Sequence, residues 1–378
     1  MNLPRWLLGI FFFYILAFFS HALFLQKTVF GDGIFYYSWI RSVVVDHDIN
    51  FANEYSHFAV TTPITPTNQL GNKHPIGAPL FWLPWYGQAR TLLGGSGYEL
   101  SYQLLIGFLS VLAAFSGLIL LYRLLMQSFS PAVSLLSMTS IALATNLLFY
   151  GAVDPVNSHA ISFFAAVVFL SFLYSKNVSP FVTGCALGFC ALVRPQDAIL
   201  GLLTIPSLKR SHLLRLKSVI PLLLGSMLIF SPQLFVWYAL YGSPFTSPYL
   251  AGGESFAWWS PNFLNVLFSP TNGLFLWTPV TLLTLIGFLC WKDKRRAWSI
   301  GVVVMEIAIV GSWSTWWQGA SYSGRMLVST LPILSFGLAA LYTRLVRAGL
   351  NGRSVILTII GPLSAMNAIL IVRFLLQT

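Results

Sequence analysis

Runs of about twenty apolar residues recur from one end of this chain to the other, each long enough to cross roughly 30 Å of hydrocarbon as a helix. Nothing else in the sequence constrains the fold as tightly. Hydrophobic residues fill 56% of the 378 positions and charged residues only 8%, where a soluble domain carries roughly a quarter charged residues. The expected fold class is therefore all-α, a polytopic transmembrane helical bundle. The formal charge of +11 does not point to nucleic acid. The basic residues fall in short clusters between the apolar runs, where lipid headgroups and the orientation rule account for them.

About eleven spans are expected, near 6–25, 100–122, 131–150, 159–175, 180–193, 196–208, 219–240, 273–291, 297–316, 326–343 and 355–373. The fifth and sixth are short and read together as a hairpin that does not cross fully. The stretch 76–94, rich in Pro, Trp and Gly, reads as an interfacial helix. Arg5 and the run from Trp6 to Leu25 resemble a secretory leader at first sight. The run is too long and lacks a small-x-small cleavage site, so it is expected to remain as the first span. Cys185, Cys190 and Cys290 lie in apolar runs without metal or disulfide spacing and read as packing residues.

Charge sets the expected orientation. With the N-terminus inside, Arg5, Arg123, Lys176, the clusters Lys209 to Lys217 and Lys292 to Arg296, and Arg344, Arg347 and Arg353 place about 14 of the 21 basic residues on the cytoplasmic side. The 10 acidic residues sort the other way. Asp32, Asp46, Asp48, Glu54, Glu99, Asp154, Asp197 and Glu254 fall at the outer face, Asp293 inside and Glu306 within a span. Acidic residues contribute little to orientation, so their concentration at one face asks for another cause, and catalysis is the leading one. No internal repeat or soluble domain interrupts 1–378, which reads as a single transmembrane domain. Its outer segments 26–98 and 241–272 are expected to fold back on the membrane as one extracytoplasmic layer.

Asp32 stands between Gly31 and Gly33 just beyond the first span. Glycine permits a tight turn and close approach of substrate to backbone. A carboxylate held there can deprotonate an acceptor hydroxyl or amine; the same three residues also make an ordinary Asp-Gly turn. Lys73, in Lys73-His74-Pro75, and Arg325 lie on the side where positive charge is scarce. A lysine offers a mobile point charge and an arginine a planar fork, so both are candidates to hold a phosphate, or to anchor the chain to lipid phosphates. Asp46-His47-Asp48 has a form that binds divalent cations elsewhere, but Ile49-Asn50-Phe51 continues like a surface turn. Asp46, Asp48 and Glu54 therefore read as solvated neighbours, with Asp46 and Asp48 the weak metal candidates. Arg194 and Asp197, three apart in an apolar stretch, read as a structural pair, since a lone charge near the bilayer centre costs about 2.5–3.5 kcal/mol.

The first span, the early outer Asp32, the aromatic helix Tyr36-Tyr37-Ser38-Trp39-Ile40-Arg41-Ser42, Asn72-Lys73-His74-Pro75-Ile76-Gly77, Leu192-Val193-Arg194-Pro195-Gln196-Asp197 and Trp316-Trp317-Gln318-Gly319-Ala320-Ser321-Tyr322-Ser323-Gly324-Arg325 together resemble the GT-C superfamily of polytopic glycosyltransferases. Protein O-mannosyltransferases and the aminoarabinose transferases of lipid A are among its members. The resemblance covers nearly the whole chain, although each motif is short. It implies a GT-C-like bundle that moves a sugar from a polyprenyl-phosphate donor to an extracytoplasmic acceptor, whether lipid, glycan or protein; a compact chain without an added soluble domain is expected in a bacterial inner membrane, serving the cell envelope. It also implies a catalytic acid at the position of Asp32. Many relatives carry two adjacent acids there, and this chain has only Asp32-Gly33.

Asp154, in the second outer loop, matches a place where members often carry a second polar or acidic group, and becomes the second catalytic candidate; as Asp-Pro it is also a common turn. Lys73, His74, Arg325, Tyr37 and Glu254 form the substrate-binding set, with the outer tryptophans as a stacking surface or an interfacial belt. A leaving phosphate can be stabilised by Lys and Arg, so no cofactor is required, a divalent cation being the alternative. The expected partners are the lipid-linked donor, membrane lipids and the acceptor. A lipid-linked oligosaccharide flippase would bury charges along a mid-membrane path, and a polysaccharide ligase or polymerase would carry its main outer loop late in the chain. A non-catalytic scaffold would not need the outer acids.

Overall fold

A computed structural model describes residues 5–175, 177–208 and 212–377. Lys176, Lys209 and Arg210 of the expected cytoplasmic set lie outside the described residues, as does the side chain of Arg215. The chain forms helices and no strand among the described residues. The longer helices, with the short α2 that carries the site, are α1 (Arg5–Leu25), α2 (Gly33–Arg41), α3 (Gly77–Leu93), α4 (Leu100–Leu125), α5 (Pro131–Ala144), α6 (His159–Leu173), α7 (Pro180–Val193), α8 (His212–Tyr241), α9 (Val280–Cys290), α10 (Arg296–Ser312), α11 (Leu331–Arg347) and α12 (Gly361–Leu375).

Local chemistry sets several of these boundaries. Ser130 and Ser179 each accept a hydrogen bond from the backbone N–H three residues on, and each is followed by a proline in the first helical turn, so α5 and α7 begin alike. The pairing of helices depends on small residues. Cβ atoms added at Gly184 and Gly188 of α7 would run into the backbones of Leu222 and Ser226 of α8, and one at Gly287 of α9 into Gly337 of α11. Such glycine contacts let helix backbones approach where lipid gives no hydrophobic drive to association.

Among the described residues, five helical stretches are long and apolar enough to cross a membrane: Arg5–Leu25, Leu100–Leu125, Leu216–Tyr241, Arg325–Arg347 and Gly352–Leu375. The chain is thus an integral membrane protein, and five of the expected spans have helices of crossing length. The expected span 273–291 is broken at Pro279, and the 11 residues of α9 rise only about 16 Å at 1.5 Å per residue. The expected 131–150 helix stops at Ala144, where Thr145 turns extended. The sixth segment is not an α-helix: Pro195–Leu208 is a long 3₁₀ helix, started by Pro195 and carrying Pro206. It packs beside α7 and α10. A helix is present at the expected 76–94, as α3.

Charged side chains gather at the two ends. At one end, Arg295 forms a two-point ion pair with Asp293 (2.6 and 2.9 Å), donates to Ser128 (3.1 Å) and lies over Tyr174. The opposite end carries the segments 26–98 and 241–272, which meet through the Lys73–Glu254 ion pair. Glu54 lies there too. It is fully buried rather than solvated, because Arg41 reaches it (2.7 Å) and also pairs with Asp46. The fold hides that acid behind the cation that neutralises it.

Candidate active site

The Gly-Asp-Gly turn places the first acid. Gly31 has φ +53°, a left-handed conformation that costs a glycine nothing, and a Cβ at Gly33 would collide with the carbonyl oxygen of Val156. The close contact seats Asp32 against the loop that carries Asp154 to Ser158. Asp32 precedes α2, but its carboxylate does not cap that helix. It turns instead to Arg325, whose Nη1 lies 2.8 Å from Oδ2. Burial pushes the Asp32 carboxyl up, but the positive charges beside it, Arg325 first and then Lys73, outweigh it and hold the group below the usual carboxylate range. Asp32 is therefore ionised at neutral pH.

A second close approach brings the Lys73 segment in. A Cβ at Gly77 would strike the backbone of Leu192 and Val193, so the start of α3 lies directly on the end of α7 and Lys73-His74-Pro75 comes beside Arg194. The His74 ring is buried, stacked on Phe35 (4.9 Å between centroids) and edge-on to Tyr36 (5.0 Å). Burial lowers it to about 4, so it is a neutral imidazole at physiological pH. The third side is the turn ending in Arg325. The Tyr150 hydroxyl donates to the Tyr322 carbonyl (3.1 Å) and accepts from the Tyr322 N–H (2.9 Å), while Asn146 donates to the Gly324 carbonyl (3.0 Å).

These elements enclose two cavities that share one wall. The first, about 240 Å³, is lined by Asp32, Tyr36, Lys73, His74, Ser158, His159, Arg194, Gln196, Tyr249 and Arg325, with an apolar side of Ile309, Val310, Trp313 and Met326. The second, about 620 Å³, lies between Thr61–Pro66, Tyr241 and Pro248–Glu254. Asp32, Lys73 and His74 border both. The Lys73 ammonium holds Glu254 Oε1, and Glu254 Oε2 accepts from the Trp313 indole N–H, so one carboxylate ties the outer layer to the end of α10.

Of the residues singled out in the sequence, Asp32, Lys73, His74 and Arg325 converge on the first cavity, and Glu254 lines the second. Asp154 lies near enough to Arg325 to feel its charge but lines neither cavity. Burial pushes its carboxyl up to about 7, the charge of Arg325 drawing it down and that of Asp32 pushing it up. Tyr37 is elsewhere. Its hydroxyl donates to the Gly97 carbonyl and its ring packs edge-on against Tyr86 and Phe58 in a buried aromatic cluster. Successive helical residues point about 100° apart, and it is Tyr36, four residues after Asp32, that shares its face. Its hydroxyl donates to Ser158 Oγ at 2.9 Å.

Asp46 is taken up by Arg41 and Asn53, and Asp48 accepts from Ser42 Oγ (2.7 Å) and the Asn50 N–H (3.0 Å). Both act as turn and ion-pair residues, and the described residues contain no group of three or more His, Cys, Asp and Glu placed to hold a metal. Arg194 and Asp197 do not pair either. Asp197 accepts from Ser162 Oγ (2.6 Å), and the Arg194 guanidinium instead faces the first cavity. Pro195 bars Arg194 from the helical conformation, and its backbone is extended (φ −150°, ψ 110°). The Arg-Pro dipeptide was the sequence signal that could have shown this. His159, 3.3 Å from Arg194, lines the same cavity.

No protein-family model matches the chain, and no curated protein matches it in sequence. Among solved structures it is similar to the archaeal oligosaccharyltransferase AglB from Archaeoglobus fulgidus, determined in complex with an inhibitory peptide and a dolichol-phosphate. The TM-score is 0.51 at 14% sequence identity, and the match covers 98% of this chain and 56% of that one. The chain thus spans little more than half the length of AglB, and at this identity the likeness is one of fold. What the sequence resemblance implied about architecture holds: the chain has the GT-C membrane fold.

Proposed function

We propose that this protein is a membrane glycosyltransferase that moves a sugar from a polyprenyl-phosphate carrier to an acceptor, with Asp32 as the proton acceptor. One observation carries the reading: an ionised carboxylate, paired with Arg325, stands in the wall common to two cavities. The first combines cations with an apolar side, as an amphiphilic phosphate donor requires. The second is bordered by threonines and loop backbone and has room for an acceptor. In this scheme the acceptor hydroxyl or amine, lying in the second cavity, hydrogen-bonds to Asp32. It attacks the anomeric carbon from the side opposite the phosphate, the bond from that carbon to the phosphate oxygen breaks, and the acceptor proton passes to Asp32. The leaving phosphate keeps the bonding pair, and the anomeric configuration inverts. Arg325 keeps Asp32 ionised and in place.

The site faces the extracytoplasmic side of a bacterial inner membrane in this reading, following the charge bias. The fold of AglB, whose structure holds a dolichol-phosphate, agrees with a lipid-phosphate donor. Mass spectrometry of cell-envelope glycans from a deletion strain identifies the product, and complementation with Asp32→Asn tests the mechanism. The variant is expected to insert and fold normally and to restore no product; restored product at wild-type levels would refute Asp32 as the base.

A further inference from the structure

We propose that Arg194, rather than Lys73 or Arg325, is the residue that grips the anionic group of the lipid carrier. This rests on the lipid-phosphate donor of the preceding reading and divides the labour among its cations. Two of the three cationic side chains at the first cavity are already neutralised: Arg325 by Asp32 and Lys73 by Glu254. Arg194 is not. It is 3% exposed, yet no carboxylate lies within 4.0 Å of it among the described residues.

Its contacts are neutral. Nη1 lies 3.3 Å from His159 Nδ1 and 3.5 Å from the Arg325 carbonyl, and Nη2 lies 3.0 Å from Met326 Sδ. The acids close to it in the fold turn to other donors, Asp197 to Ser162 (2.6 Å) and Glu306 to Gln196 (2.7 Å). A buried guanidinium whose direct contacts are imidazole, thioether and carbonyl, with the carboxylates of Asp197 and Glu306 acting on it only from beyond ion-pair distance, is costly to keep. It presents a planar fork suited to two phosphate oxygens. The apolar wall of Ile309, Val310 and Trp313 lines the same cavity, so a phosphate on Arg194 leaves its hydrocarbon tail a dry surface. Arg325 is then the residue that positions Asp32, and Lys73 is the fastener of the outer layer.

The test is equilibrium binding to the purified full-length protein in detergent, by calorimetry, with farnesyl phosphate as probe and farnesol as its uncharged counterpart. Wild type is expected to prefer farnesyl phosphate. Arg194→Gln should weaken farnesyl phosphate on the order of 30-fold, the effect of one charge-assisted partner, and leave farnesol unchanged, which also reports that the variant is folded. Arg194→Lys keeps the charge but loses the fork and should weaken the phosphate severalfold; Lys73→Gln should change it less than about threefold. Undiminished farnesyl phosphate affinity in both Arg194 variants overturns the assignment while leaving the lipid-phosphate reading intact. A wild-type protein that does not distinguish farnesyl phosphate from farnesol overturns both. Displacement of the probe by millimolar inorganic phosphate, as effective as by excess farnesyl phosphate, would identify a soluble anion as the ligand and overturn the lipid carrier.

Discussion

Asp154 should make this protein lose stability as the pH rises through the weakly acidic range, and replacing it with asparagine should remove the effect. Burial is the cause: its carboxyl is pushed from the ordinary 3.8 up to about 7, with Arg325 opposing the shift and Asp32 reinforcing it. Between those values the folded chain keeps the proton while the unfolded chain has released it. Stability from this group is therefore full below pH 3.8, falls as the pH climbs to about 7, and is flat above. A shift of this size corresponds to about 4 kcal/mol as an upper bound, of which about 2 kcal/mol falls between pH 5.5 and 7. Asparagine has nearly the same shape and does not titrate. Polytopic proteins commonly unfold irreversibly, so the quantity to follow is the unfolding rate of the detergent-purified protein at fixed temperature. The ratio of the wild-type rate to that of Asp154→Asn should rise by up to about 30-fold from pH 5.5 to 7.5 and then level off. A ratio independent of pH, or one that falls as the pH rises, would refute the half-buried, proton-holding Asp154.

Three further outcomes follow from particular contacts. Gly33→Ala puts a methyl group against the Val156 carbonyl; overpacking costs about 1–3 kcal/mol, and because Asp32 moves with the turn, product formation should fall more than the amount of folded protein on a gel-filtration trace. Tyr37→Phe loses one buried hydrogen bond to Gly97, worth about 1 kcal/mol, and should lower the thermal midpoint slightly with the rate of transfer unchanged; Tyr36→Phe, by contrast, should alter transfer. Glu54→Gln removes one of the two carboxylates on Arg41 and leaves Asp46 to pair it, so it should cost about 1–3 kcal/mol, visible as a lower thermal midpoint, while Asp48→Asn at the exposed turn should change little.

What the sequence made legible was the part governed by neighbours in the chain. Hydrophobic runs located the helices, and the glycines around Asp32 marked a tight turn, which the fold uses to seat that acid against the Val156 loop. The resemblance singled out Asp32, the scarcity of positive charge on its side of the chain pointed to Lys73 and Arg325, and folding brings the three together. The misreadings share a cause. Arg194 and Asp197 were paired by a spacing that has meaning only in a continuous helix, and Pro195 breaks that helix between them. Tyr37 stands in the expected binding set, yet Tyr36 is the one that lies one helical turn beyond Asp32 and lines the first cavity. Glu54 was read as solvated because the chain around it is polar, when what decides its burial is an arginine 13 residues away. In each case the chain carried the charge or ring, and the third dimension chose its partner. The same logic separates the cations at the site. Spacing cannot tell Lys73, Arg194 and Arg325 apart, because each is a lone positive charge in an apolar or aromatic stretch. Partnership can: two have met a carboxylate in the folded protein, and the one that has not is the one whose charge is free to meet a phosphate.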